Sequence, residues 1–179
     1  MASLRKASAY SKKFVRPYTR KSGIKRASFI KAIPASKIVK FNMGNQKDFD
    51  SGAHKFLIRY ICSEKVQIRD NSLEACRMLL NKILDREIPG QFYFQIKVYP
   101  HHILRENKTA AGAGADRLSS GMKHSFGVTV GRAAILNPGK ELFFVSTTDE
   151  KSARAARKAV MKVKPKVPCR GKIVWEEVD

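Results

Sequence analysis

Apolar and polar positions follow two different rhythms along this chain. From His54 to Cys62 they alternate: Phe56, Ile58, Tyr60 and Cys62 share one side, and Lys55 and Arg59 lie on the other, which predicts a β-strand. Leu57 and Ile61 on that second side point to burial on both faces. After Asn71 the period lengthens, and Leu73, Cys76, Leu80, Ile83 and Leu84 form a stripe at helical spacing. Asn71 is a suitable cap with Glu74 three residues on, the pattern of a capping box, and Pro89-Gly90 closes the helix. Phe92 to Tyr99 alternates again. Phe126 to Leu136, a turn at Asn137-Pro138-Gly139, and Glu141 to Thr147 read as two further strands. A second helix is predicted from about Asp149 to Val163, capped by Thr148 or Asp149 and stopped by Pro165. Its packing side is Ala155, Ala159 and Val163; Lys151, Arg154, Arg157, Lys158 and Lys162 make the other side cationic. A last strand is expected at about Lys172 to Trp175, and a short first one at Ile38, Val39 and Phe41, before Gly44.

Two stretches keep neither rhythm. Up to Pro34 no period is sustained, so residues 1–34 read as an irregular arm and residues 35–179 as a single domain. His101 to Ser125 is rich in Gly and Ala, lies between two credible strands, and is too long for a tight hairpin, so a protruding loop is expected at about 101–125. The predicted order, β-β-α-β-loop-β-β-α-β, implies an α+β fold: a two-layer sandwich with two helices on one face of a mainly antiparallel sheet.

Charge changes the picture most. The chain has 179 residues with 36 Lys and Arg against 15 Asp and Glu, a net +21. Like charges repel in the compact state, whereas a polyanion removes that cost and binding it releases counterions. Nucleic acid is therefore the leading partner class. A membrane partner is not expected, because no apolar run approaches the roughly 20 residues that span a bilayer. Nor does the N-terminal stretch have the apolar segment of a secretory signal, and the expected location is cytoplasmic. Between Met1 and Lys47 there are 13 Lys and Arg and no acid. With so few apolar anchors the arm gains little from ordering alone and is expected to order on RNA. The positions expected to meet RNA are Lys12, Lys13, Arg16, Tyr18, Arg20, Lys21, Lys25, Arg26 and Lys31 in the arm. Arg105, Lys108, Arg117 and Lys123 follow on the legs of the loop, and Arg154, Arg157, Lys158 and Lys162 on the last helix.

Candidate chemistry is sparse. Cys62, Cys76 and Cys169 form no Cys-x-x-Cys pair and read as small buried residues in a reducing compartment. His101 and His102 are adjacent, so on an extended chain they point in different directions, and neither they nor His54 and His124 have metal-ligand spacing. The run Ala110-Ala111-Gly112-Ala113-Gly114-Ala115-Asp116 lacks the Gly-Lys-Ser/Thr ending of a phosphate loop. No catalytic residue, metal site or cofactor is assigned. A basic RNA-processing or RNA-modifying enzyme is the alternative, but it needs a cofactor loop or a titratable cluster that the sequence does not offer. A transiently bound translation factor or chaperone is a third reading.

Four stretches bear a likeness to a known family. Pro17-Tyr18-Thr19-Arg20-Lys21 is one, and Pro34 with Lys37-Ile38 and Phe41-Asn42-Met43-Gly44-Asn45 is another. The third is a central block: Val98-Tyr99-Pro100, Leu104-Arg105-Glu106-Asn107, Gly114-Ala115-Asp116-Arg117, Gly121-Met122 and Phe126-Gly127. The last is Ala155 to Lys162 with Pro168. In these the chain resembles the universal large-subunit ribosomal protein sixteen family, in its archaeal and eukaryotic ten-e branch, with wording nearer the archaeal members. It departs from the pattern where Val128-Thr129 replaces the usual Lys-Pro after Phe-Gly, in the arm before Pro17, and at its short acidic end. The resemblance implies a structural constituent of the large subunit, bound to large-subunit rRNA near 5S rRNA and the central protuberance, among neighbouring ribosomal proteins. It also implies that the central loop, with Asn107, Gly112, Gly114 and Asp116, points towards the peptidyl-transferase centre and aminoacyl-site tRNA.

Overall fold

The computed structural model describes residues 8–11, 24, 30, 32–106 and 127–178. Its elements are a helical turn α1 (Ser8–Ser11), β1 (Asn42–Gly44), a short helix α2 (Gln46–Asp50), β2 (Phe56–Cys62) and β3 (Val66–Arg69). There follow α3 (Asp70–Glu87), β4 (Phe92–Ile96), β5 (His102–Glu106), β6 (Val128–Leu136) and β7 (Glu141–Thr147). The last are α4 (Glu150–Val163), a 3-10 turn at Lys164–Lys166 and β8 (Gly171–Glu177). The class is α+β, as the two rhythms predict.

The strands make two antiparallel sheets rather than one. The larger runs β1-β4-β7-β2-β8 and the smaller β3-β6-β5. The inner face of the larger sheet is apolar because strand residues alternate across it. Ile58, Tyr60, Phe94, Phe143 and Val145 are almost wholly buried there. Tyr60 stacks on Phe143 at 5.3 Å, and Phe94 meets Phe143 edge-on at 5.9 Å. Both long helices cover this face. α4 lies over β2 and β7, while α3 packs beside it and bridges to β3 and β6 of the smaller sheet. The stripe Leu73, Cys76, Leu80, Ile83 and Leu84 is buried, as its spacing predicts. On α4 the packing side is broader than expected: Ser152, Ala153, Ala156, Ala159, Val160 and Val163 are buried and Ala155 is only half-buried. All three cysteines are free and buried.

Several boundaries differ from the sequence reading, each for a local reason. The first strand falls at Asn42–Gly44, not at Ile38–Phe41. There the backbone is held by side chains of α3 instead of a ladder: the Lys37 N–H donates to Asp70 (3.2 Å) and the Val39 N–H to Glu74 (3.3 Å). Glu74 also takes Arg77 (2.6 Å), so it is not available for the expected capping box. The residue before the helix is Arg69, which makes no side-chain cap, and Asp70 accepts the Asn71 N–H itself (2.9 Å). Asp149 precedes α4 without a side-chain cap bond. β3, a four-residue strand abutting α3, was not expected, and β5 occupies the first part of the predicted loop. β8 extends to Glu177, beyond the expected Trp175, because its full length pairs with β2.

Gly44 has a structural role in its motif. Its φ is +87°, and a Cβ there would lie 2.2 Å from the Phe92 carbonyl oxygen, which itself accepts the Asn45 N–H at 2.8 Å. Asn45 then caps α2, accepting the Asp48 N–H at 3.3 Å.

Candidate nucleic-acid interface

The outward side of α4 is strongly cationic. Small side chains let the helix lie close to the sheet, and its other side presents Lys151, Arg154, Arg157, Lys158 and Lys162, all exposed. The series continues without an acid through Lys164 and Lys166 of the 3-10 turn. Not all of these charges are equally available. Arg154 is held by Glu150 one turn earlier, with contacts of 2.6 and 3.1 Å. Lys162 lies 3.8 Å from Glu87 on α3. Among the described residues, Arg157 and Lys158, with Lys151, Lys164 and Lys166, form no ion pair. Such a face adds nothing to the core, and its mutual repulsion disfavours the free fold. A phosphate backbone would offset it. The two lysines of the 3-10 turn are not among the positions that the sequence analysis expects to meet RNA.

A second group gathers at the foot of the segment between β5 and β6. Arg105 is half-buried on β5, paired with Thr129 just past a bulge at Leu104/Arg105. His101 is exposed and His102 buried, as expected for neighbours on an extended chain. Burial holds the His102 imidazole below its usual pKa, and Arg105 adds to the effect. On the outer side, Phe41 and Tyr99 stack at 5.5 Å and His101 rests against Tyr99 at 4.6 Å. Arg132 of β6 donates from Nη1 to the Tyr99 hydroxyl (3.0 Å) and from Nε to the Pro34 carbonyl (2.6 Å). Composition alone did not bring Arg132, Tyr99 and His101 together; the pairing of β5 with β6 does.

The described part of the N-terminal segment touches the domain. Tyr10 is buried against Leu104 and Ala133 on the smaller sheet. Gln67 Nε2 donates to its carbonyl (3.0 Å), and the Arg69 guanidinium lies 4.9 Å over its ring. Beside this contact is a cleft of about 280 Å³ lined by Gln67, Arg69, Asn71, Ser72, Ala75, Lys166 and Pro168.

His54, by contrast, belongs to packing. Its Nδ1 is 2.8 Å from the Ser146 hydroxyl and its ring meets Phe49 edge-on. Burial lowers its pKa against an opposing pull from Asp48. Glu74 is held below the usual carboxylate range, chiefly by the hydrogen bond from Arg77. Among the described residues no three His, Cys, Asp or Glu side chains converge on a point, and no helix is long and apolar enough to cross a membrane. Lys12, Lys13, Arg16, Tyr18, Arg20, Lys21, Lys25, Arg26 and Lys31 lie outside the described residues. So do Asn107, Lys108, Gly112, Gly114, Asp116, Arg117, Lys123 and His124.

Comparison with known proteins gives a consistent answer. The family model described as ribosomal protein L16p/L10e matches residues 15–174. A protein of Staphylothermus marinus named large ribosomal subunit protein uL16 is 41% identical over 175 residues, covering 97% of this chain and 94% of its own length. Its namesake from Archaeoglobus fulgidus is 37% identical, with the same coverage. That from Hyperthermus butylicus is 43% identical over 75% of this chain and 69% of its own.

Proposed function

We propose, for a chain that belongs to the ribosomal protein L16p/L10e family, that it works by clamping large-subunit rRNA between its basic surfaces. It is a structural constituent of the large ribosomal subunit and not an enzyme. Its partners are rRNA and other ribosomal proteins, on the ribosome in the cytoplasm. The observation that carries the RNA reading is the outward side of α4, where Lys151, Arg157 and Lys158 are exposed and unpaired on a helix whose packing needs none of them. Phosphate contacts of this kind set position and affinity and not sequence.

The finer placement, close to 5S rRNA and the central protuberance, rests on the family likeness of the chain. So does the reading that the loop at about 101–125 reaches towards the peptidyl-transferase centre and aminoacyl-site tRNA, with Asn107, Gly112, Gly114 and Asp116 near the tRNA, Ala110 to Ala115 at the tip, and Arg105, Lys108, Arg117 and Lys123 on its legs. The composition supports it, since a small neutral tip between basic legs suits a crowded RNA cavity. The arm, residues 1–34, is assigned to RNA, through positions from Lys12 to Lys31, on its 10 Lys and Arg without an acid. The test is sedimentation of cell lysate through a sucrose gradient after a high-salt wash. The protein should remain with the large subunit, and its release to the top of the gradient refutes a structural role.

A further inference from the structure

We propose that Phe41, Tyr99 and His101 form a stacking platform for an unpaired base of the ribosomal RNA; this rests on the RNA reading above. The row runs outward from the core. Phe41 is half-buried and packs on the main cluster. Tyr99 stacks on it at 5.5 Å with planes 23° apart, yet remains 42% exposed. His101, at 4.6 Å from Tyr99, is exposed at the outer end. A single exposed aromatic needs no explanation. A row of packed rings ending in solvent does, the inner two stacked and the outermost tilted 49° to its neighbour, because its outermost face is the one an added ring would cover.

The row is also braced at Tyr99 and has positive charge beside it. Arg132 fixes the Tyr99 hydroxyl while tied to the Pro34 carbonyl, so little side-chain freedom is lost when a base stacks. Exposed Lys40 adjoins Phe41 in the chain and can meet the phosphate of the stacked nucleotide. Bases of single-stranded RNA are bound by aromatic faces with cations alongside. An apolar protein partner would find polar edges here, namely a tyrosine hydroxyl, an imidazole and a guanidinium.

Stacking and phosphate contact separate experimentally, because only the second carries salt dependence. The full chain is titrated with protein-free large-subunit rRNA at several salt concentrations. Tyr99→Ala/His101→Ala is expected to bind about 5-fold to about 150-fold more weakly, the range for one stacked base, with the log-log salt slope of the parent. Tyr99→Phe/His101→Phe, which keeps both rings, should stay within about 2-fold of the parent. His101→Ala alone removes an exposed side chain, so it keeps the test open should the double variant fold poorly. The platform is overturned if the alanine variants bind like the parent, the result expected if these rings meet a protein. It is equally overturned if the phenylalanine pair binds as weakly as the alanine pair, or if the loss comes with a reduced salt slope. Failure of the parent itself to bind the RNA refutes the underlying RNA reading, which is a distinct result.

Discussion

Replacing Arg157 and Lys158 by Gln tests whether α4 is an RNA-binding surface. Both side chains are exposed and unpaired, so the fold should hardly change. Exposed substitutions shift stability by at most about 0.5 kcal/mol each, which moves the melting temperature of a chain this size by no more than about 2–4 °C. If each cation meets one phosphate of duplex RNA, the slope of log K against log salt falls by about 0.9 per contact, about 1.8 in all. Over a fourfold rise in salt the affinity ratio of parent to variant then shrinks by about 12-fold, and this is the quantity to measure by filter binding or fluorescence anisotropy. Arg154→Gln is the internal comparison. Because Glu150 already holds Arg154 at 2.6 Å, its loss should change the slope by less than one contact. A folded Arg157→Gln/Lys158→Gln variant with the parent's slope would show that this surface faces solvent in the particle, and the reading of α4 would fall.

Three further outcomes follow from the geometry. Gly44→Ala places a Cβ 2.2 Å from a backbone oxygen at φ +87° and should cost at least about 2 kcal/mol in urea unfolding; a loss below about 0.5 kcal/mol would mean the β1–β4 contact relaxes freely. The buried thiols should resist iodoacetamide at pH 8 in the native protein, since burial pushes Cys76 up to about 12, and should react once the chain is unfolded; rapid native alkylation contradicts the core assignment. Burial holds His54 and His102 below the usual imidazole range, so the unfolded chain takes up protons first on acidification. Stability should be flat above about pH 6.5 and fall below it, a trend reduced in His54→Gln and readable from melting temperatures across pH.

Long-range order was legible where one rhythm ran for many residues. The stripe on α3, the alternation through β2 and the cationic side of α4 all stand as read, because each depends on burial of one face. What was missed depends on neighbours distant in sequence. β3 has four residues, with only Val66 and Ile68 to show alternation; it exists because Leu136 and Ala134 of β6 pair with them. β5 looked like loop because His102 and Arg105 interrupt its apolar pattern, yet His102 is buried opposite Ala133. The capping box failed although its residues are present, since Glu74 is drawn to Val39 and Arg77, more than 30 positions and three positions away respectively. Of the candidate interface, the cations were legible one by one. The Phe41–Tyr99–His101 row was not, because it joins strand ends far apart in the sequence.

The placement of the few acids explains why so much charge is left over for a partner. Nearly every described carboxylate with a partner serves the fold. Asp70 and Glu74 hold the backbone at Lys37 and Val39. Glu64 accepts the Arg170 N–H at 2.8 Å, fixing the entry to β8. Asp48 belongs to the Asn45 cap of α2. Glu176 ties Arg59 across the β2–β8 pair at 2.7 Å, and Glu87 joins α3 to Lys162 of α4. Two ion pairs thus join elements, while Arg77–Glu74, Arg86–Glu87 and Arg154–Glu150 are local to one helix. Among the described residues, Lys151, Arg157 and Lys158 of α4 and Lys164 and Lys166 of the 3-10 turn are in no ion pair and form one run of exposed cations. Exposed ion pairs contribute little to stability, about 0–1 kcal/mol each, so adding acids there would scarcely strengthen the fold. It would, however, cancel the surplus that the proposed phosphate contacts need. On the RNA reading proposed above, the imbalance of 36 cations against 15 acids divides the labour: several acids organise the protein, and the excess cations are available to phosphates.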